Sequence, residues 1–489
     1  MRSHTRTFII SVTALATSAL AFSFSTVVET QGPPRAPRYA ITNARIVTNA
    51  GATIDKGTIV LRDGVIEDVG AAVSAPADAM TIDGTGLTVY PGLIDMTNSS
   101  LVQSPPAESA SSVQPAQGGR TGGGGGGAAP AANSDDSWAD QERAKRAAIL
   151  RADVEAASYV AYGGDGLRRL ANAGVTNVLA VPPQGLIRGQ SALINTATPP
   201  ESPVISAVSR YWRGYLVVKS PVAQHVTFSG RGGGGGGGYP GSLLGVIAFV
   251  RQSFYDAQWQ KEARAYTEKH KDSALPDFEP VLDALAPALD AKMPVFFDGG
   301  EEREILRALA MAKEFKLDPV IVGGIEASKT VDDLKTAKAR VVLTLNQGGG
   351  GGGGRGGGGG GGRTAQMMQN APKVAAALEK AGIAFAFTSE GLQNPADLVR
   401  NVGRVMREGG LSEDSALKAL TINAARIAGV ADRLGSLEKG KLANLIVTEN
   451  GLFDERMRIR NVFVGGWPVD LDTPASTSPA ATGRGRGGR

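Results

Sequence analysis

Two apolar, β-branched runs of this chain end in a carboxylate: MPVFFDGG closes on Asp298 and IAFAFTSE closes on Glu390. Carboxylates at strand ends can supply oxygen ligands to a hard cation such as Mg²⁺ or Ca²⁺, with Glu326 in DPVIVGGIEA as a third donor. The same groups can equally be solvated or hydrogen-bonded side chains with no ion between them, and residue type leaves both readings open. Imidazole is scarce, since the chain holds only His4, His225 and His270. His4 lies in the N-terminal targeting stretch. His225 precedes a glycine run and reads as a surface loop residue. His270 ends a charged helical stretch, where it either favours the helix C-terminus electrostatically or is simply solvated. Cysteine is absent, which excludes thiolate ligands, a thiol nucleophile and disulfides. A zinc site of three histidines cannot be built from the mature chain. Arg188 and Gln190, in GVTNVLAVPPQGLIRGQSALINT, fall near a strand end, either as ligand contacts or as structural residues.

The elements that must position these groups alternate regularly in the middle of the chain. Short runs (GVTNVLAV, MPVFFDGG, DPVIVGG, RVVLTLN, IAFAFTSE) are separated by helical patterns at 301–316, 327–338, 365–381 and 395–408. Strands followed by helices of this length indicate a parallel sheet with crossover helices. The flanks differ. Residues 39–90 contain YAITNARIV, GTIVLRDGVIEDVG and MTIDG, short strands punctuated by Asp63-Gly64 and Asp83-Gly84. Residues 434–470 return to short strands with turn signals at Asn450-Gly451 and Gly465-Gly466. The two β-rich ends are expected to pair beside the β/α array. The stretch LLGVIAFVRQSFYDAQWQ has apolar and aromatic residues at helical spacing, the pattern of core packing.

The chain is long enough, at 489 residues, for a barrel of about 250 residues and a satellite domain. Its net charge of +4 resides in the ends, Arg2 and Arg6 at one and Arg484, Arg486 and Arg489 at the other. The body is close to neutral, which argues against nucleic acid as a partner. Arg2 and Arg6 followed by an apolar run from Phe8 to about Phe24 read as a signal peptide, taken as residues 1–25, rather than as a single membrane anchor, for which the run is short and holds several Ser and Thr residues, so the protein is expected to be exported, periplasmic or secreted, and free of the membrane after cleavage. Glycine is concentrated in uninterrupted runs at 122–127, 232–238, 348–354 and 356–362. Polyglycine loses the most backbone entropy on ordering, so these runs are expected to be mobile loops, either as lids or partner-contacting loops or as neutral expansions at tolerant loop tips.

Long segments at both ends carry a resemblance. AITNARIVTNAG…GTIVLRDGVIEDVG, IDGTGLTVYPGLIDM and ALKALTINAARIAGVADRLGSLEKGKLANLIV occur in the order found in the amidohydrolase superfamily, and the chain resembles its imidazolonepropionase-like members over nearly all of residues 39–471. The resemblance implies an α/β fold: a distorted (β/α)8 TIM-like barrel with a flanking β-sandwich made from both chain ends. Residues 38–90 would be the N-terminal part of the sandwich, 91–430 the barrel with glycine-rich insertions, 431–471 the C-terminal part of the sandwich, and 472–489 a disordered Gly/Arg tail. It also implies metal chemistry, in which imidazoles and carboxylates at the barrel mouth hold a divalent ion that lowers the pKa of bound water.

The sequence departs from that pattern where the metal would bind. Thr97 and Ser99 stand at the paired histidine positions of PGLIDMTNSS, Asp298 and Gly323 stand at two further histidine positions, and Asn444 replaces an aspartate of the sandwich. Glu390 replaces the catalytic aspartate (a shift of one would put Ser389 there) and is the one catalytic candidate. No metal ligand and no cofactor is expected, the alternative being a divalent cation near Asp298 and Glu390.

Two functions follow from the resemblance. One is a hydrolase of non-peptide C–N bonds with a degenerate metal site and weak or absent metal-dependent catalysis, acting on a small cyclic amide or a dipeptide-like substrate. The other, which the residues favour, is a non-catalytic subunit that binds a small molecule, a catalytic amidohydrolase paralogue or a second copy of itself.

Overall fold

The computed structural model describes residues 36–104, 138–162, 164–197, 215–229, 240–274, 277–345, 361–392, 394 and 397–471. The expected signal peptide and the expected C-terminal tail lie outside the described residues. So do the glycine runs, except that Gly361 and Gly362 open the helix Gly361–Ala381. Among the described residues no helix is long and apolar enough to cross a membrane.

The fold is mixed α/β, built on three sheets among the described residues. The first joins both flanks of the chain. It contains β1 (Tyr39–Ile46), β2 (Ile54–Arg62), β3 (Val65–Gly70), β4 (Met80–Asp83) and β5 (Leu87–Pro91) from the N-terminal side. The antiparallel pairing of β2 with β3 turns through Asp63 and Gly64, both at positive φ (50° and 84°), the backbone a tight hairpin demands. From the other end of the sequence, Leu445–Glu449 lies antiparallel to β5, and Arg458–Val464 and Trp467–Pro468 extend the sheet outward. Ile41, Ile46, Ile59, Leu61, Val89, Leu445, Val447 and Phe463 form its apolar core.

The middle of the chain supplies the other two sheets. In one, β6 (Leu93–Asn98) runs parallel to β7 (Val175–Ala180), which pairs antiparallel with β9 (Ala192–Asn195) and so connects to β10 (Val217–Lys219). In the other, β8 (Ile187–Gln190) lies antiparallel to β11 (Gln224–Val226), and β12 (Val295–Gly299), β13 (Pro319–Gly323), β14 (Arg340–Thr344) and β15 (Phe385–Thr388) follow in parallel order. The five quoted runs all form strands; helices at Glu302–Phe315, Val331–Thr336 and Gly361–Ala381 separate the last four of them, and the helix Asp397–Gly409 follows the last, as the periodicity predicts. The strand pairing stays in two sheets rather than one ring. They are joined by the chain itself where β8 runs on into β9, and by Ser191, which exchanges backbone hydrogen bonds with Val222 and Ala223.

Alternation along these strands sorts their side chains into two cores. Phe296, Val320, Val342 and Ala386 face inward with Ile94, Met96, Leu179 and Leu193, and Ala424, Ala425 and Ile427 close the same cluster. Val295, Phe297, Ile321, Val341 and Phe385 face the helices. Burial on both faces explains why these strands read as continuous apolar runs. The helix Leu243–Lys269 begins at an N-cap, where the Ser242 hydroxyl accepts from the Gly245 N–H at 3.1 Å. It buries Val246, Val250, Phe254 and Ala257 along one side, the core role its spacing predicts. Its outer side leaves Leu244, Trp259 and Tyr266 exposed.

His225 corrects the sequence reading. It is not a surface loop residue but the central residue of β11, only 2% exposed, with its ring 5.0 Å from that of Phe296. β11 is three residues long, too short for period-two alternation to announce it, and the polar Gln224 within it and Thr227 after it suggest a loop.

Candidate functional site at the strand ends

The parallel strands point their C-terminal ends the same way, and these ends bring Ser99, Asp298 and Glu390 to one rim. β6 carries the rim's most buried part. All six of its residues are buried, including Asp95, whose carboxylate has no solvent. A carboxylate there needs donors, and Ser389 supplies both: its N–H donates to Asp95 Oδ1 at 2.8 Å and its hydroxyl to Oδ2. Burial pushes the Asp95 carboxyl up to about 6, although the Ser389 donors pull the other way, and the nearby Glu390 charge adds to the rise. One layer higher, the Thr97 hydroxyl donates to Thr388 Oγ1 (2.9 Å), which donates to the Thr97 carbonyl (2.6 Å). Higher still, Ser99 donates its N–H to Glu390 Oε2 (2.8 Å) and its hydroxyl to Oε1 (2.5 Å).

Glu390, the catalytic candidate, thus has both carboxylate oxygens engaged by Ser99, the residue at the second histidine position. Ser389 is committed to Asp95. Asp298, at the end of β12, receives Arg188 Nη1 at 3.3 Å, and the Arg188 Nε is held by the Pro182 carbonyl at 2.8 Å. Burial raises the Asp298 carboxyl; Arg188 and the Thr227 hydroxyl oppose the rise, while the Glu390 charge adds to it. Arg188 therefore belongs to the rim. Gln190 does not, because its side chain donates to the Ala284 carbonyl at 3.3 Å on the helix side.

Glu326 does not join Asp298 and Glu390 as an oxygen donor. It is buried, accepts from Lys329 Nζ at 2.6 Å and from the Glu302 N–H at 3.0 Å, and so anchors the start of the helix Glu302–Phe315. Gly323 ends β13 at φ +111°, where a Cβ would lie 3.2 Å from the Gly299 carbonyl oxygen and 3.3 Å from Gly300 Cα. His225, in β11, lies two residues before Thr227, which follows the strand. Its Nε2 is buried without a hydrogen-bond partner. Burial, aided by the Arg188 charge, holds its pKa well below the ordinary imidazole value, so the ring is neutral. His270 caps the helix Leu243–Lys269 and is exposed, as expected. Among the described residues no three or more His, Asp or Glu side chains converge in a way that could hold a metal ion.

Asn444 has a structural role. Its Nδ2 donates to Asn177 Oδ1 (2.7 Å) and Asn195 Oδ1 (3.1 Å), and its Oδ1 accepts from the Gly465 N–H (2.6 Å). This buried amide cluster ties the first sheet to β7 and β9. Sequence reasoning missed Asp95, Asn177 and Asn195. The available signal was a polar residue inside an otherwise apolar strand, which must have a partner when buried.

Comparison with known proteins adds to this geometry. Residues 366–469 match the family model described as "Amidohydrolase family". No functionally curated protein matches the sequence. Among solved structures, an amidohydrolase from Thermotoga maritima MSB8 superposes with a TM-score of 0.67 at 21% identity, covering 89% of this chain and all of that one. An uncharacterized protein superposes with a TM-score of 0.52 at 16% identity, again over 89% of this chain and all of that one. The matched segment runs through β15 into the closing strands, so the C-terminal part of the chain is similar to that family, and the fold is shared with the solved structures along most of the chain.

Proposed function

We propose that this chain is a ligand-binding member of the amidohydrolase superfamily that works without a catalytic metal. In this reading the two central sheets are parts of one distorted (β/α)8 barrel, and the rim of Ser99, Arg188, Asp298 and Glu390 is its mouth. The observation that carries the reading is the pairing of Ser99 with Glu390. A hydroxyl is a poor zinc ligand at neutral pH because it stays protonated, and here the hydroxyl satisfies the carboxylate that would otherwise take a proton from water. The other positions do not fit a zinc ion either: Thr97 is bonded to Thr388, Asp298 faces a guanidinium, and Gly323 has no room for a histidine Cβ without backbone movement. Arg188 supplies a fixed positive charge at the mouth. The protein acts outside the cytoplasm, alone, as an oligomer or beside a catalytic paralogue.

A residual hydrolase is the competing reading, and the location of Glu390 at the end of the last strand favours it, since catalytic groups of barrel enzymes sit there. One experiment separates the two. The purified mature protein is assayed for bound metal, then for hydrolysis of cyclic amides and dipeptides with and without added Zn²⁺ or Mg²⁺. Binding is expected without stoichiometric metal or metal-stimulated turnover, and a small-molecule thermal-shift screen should yield hits that Arg188→Ala abolishes. Stoichiometric zinc with turnover that Glu390→Gln removes would overturn the proposal.

A further inference from the structure

The two central sheets meet in two places, and the places differ in kind. At one, the chain passes directly from β8 to β9 and Ser191 bonds the backbones of both sides. At the other, β6 lies beside β15, and no backbone-to-backbone hydrogen bond joins them among the described residues. Instead, side chains take over the closure. Thr388 reaches the Thr97 carbonyl, Asp95 accepts both donors of Ser389, and Glu390 accepts both donors of Ser99. Every hydrogen bond across this line thus depends on at least one side chain. Ladders inside the sheets have no such dependence: β6 keeps its backbone ladder to β7 and β15 its ladder to β14, so the line between β6 and β15 is the one joined through side chains.

We propose that the β6–β15 line is a latch, the seam along which the strand ends part, fastened by Asp95, Thr97, Ser99, Thr388, Ser389 and Glu390. Opening it separates the two carboxylates from their serine donors and widens the rim on the side where Glu390 stands. β12, β13 and β14 stay paired through their ladders while this happens. The inference concerns the scaffold and holds whichever ligand, if any, the rim receives.

Native-state hydrogen exchange on the full mature chain tests it. The amides of Leu93–Asn98 and Phe385–Thr388 are expected to exchange at least tenfold faster than those of β12 and β13. Because the chain has no cysteine, the double variant Thr97→Cys/Thr388→Cys offers a reversible lock across one layer. Oxidation should slow the seam amides to the rate of β12 and β13, and reduction should restore the difference. Should that pair fail to fold, Ser99→Ala removes only the rim layer and is expected to speed exchange in the seam strands while leaving β12–β14 unchanged. Equal protection of seam and central strands in the unmodified protein, or a uniform change across all strands in the variants, would overturn the latch.

Discussion

Two buried polar networks hold this molecule together, and they solve the same problem with different chemistry. The Asn444–Asn177–Asn195 cluster uses neutral amides whose donors and acceptors close on one another and on the Gly465 N–H. The β6–β15 cluster uses carboxylates, one of them wholly buried, held by serine and threonine hydroxyls. A neutral network carries no charge-desolvation cost and no pH dependence. A charged one carries both, and it retains acid–base character where a ligand could meet it. The amide cluster therefore behaves as a fixed joint between sheets, and the carboxylate cluster as the adjustable one.

Substitutions can break or sharpen that contrast. The largest effect is expected from Asn444→Ala, which orphans the Gly465 N–H, strips a donor from both neighbouring amides and opens a cavity. It should cost about 3–5 kcal/mol in denaturant unfolding, equally at pH 5 and pH 8. Asp95→Ala leaves the Ser389 N–H and hydroxyl buried without their acceptor and should cost about 2–4 kcal/mol. Asp95→Asn should instead change the pH profile. A carboxyl raised to about 6 in the folded state favours folding fully below the unfolded value of 3.8, and that contribution is lost as pH rises through 6. Over that window the loss amounts to about 3 kcal/mol, and Asp298, also raised, acts in the same sense. Unfolding measured from pH 4 to pH 8 should show this decline in the unmodified protein and a flatter profile in Asp95→Asn. The smallest effect is expected from Ser99→Ala at the half-exposed rim, about 0.5–1.5 kcal/mol. An amide joint as pH-sensitive as the carboxylate one would erase the distinction between the two networks.

Much of the fold was legible in the sequence because it rests on periodic patterns. Val295, Phe297 and Val341 face helices while Phe296, Val320 and Val342 face inward, so the runs are apolar throughout and the helices between them amphipathic. Asp63-Gly64 announced its hairpin because few residues tolerate its positive φ. The site was legible only in part. Asp298 and Glu390 stand at strand ends as expected, and Arg188 joins them. Glu326 was misleading, since its partners Lys329 and Glu302 lie on the following helical turn and on a helix from the preceding crossover, a proximity no local pattern records. His225 was hidden by the brevity of β11. The donors that fasten Asp95 come from Ser389, 294 positions away, and only the fold brings such distant residues together.

Gly323 has a consequence for anyone re-engineering this rim. Its left-handed backbone, with Gly299 and Gly300 pressed against the space a Cβ would fill, makes a side chain there hard to install. Substitution by histidine would bring strain before it brought a ligand. Placing a donor at this position requires the β12 terminus to move as well, so two segments must change together. A designer wishing to install a metal in this scaffold would do better to begin from Thr97 and Ser99, whose backbones already carry side chains.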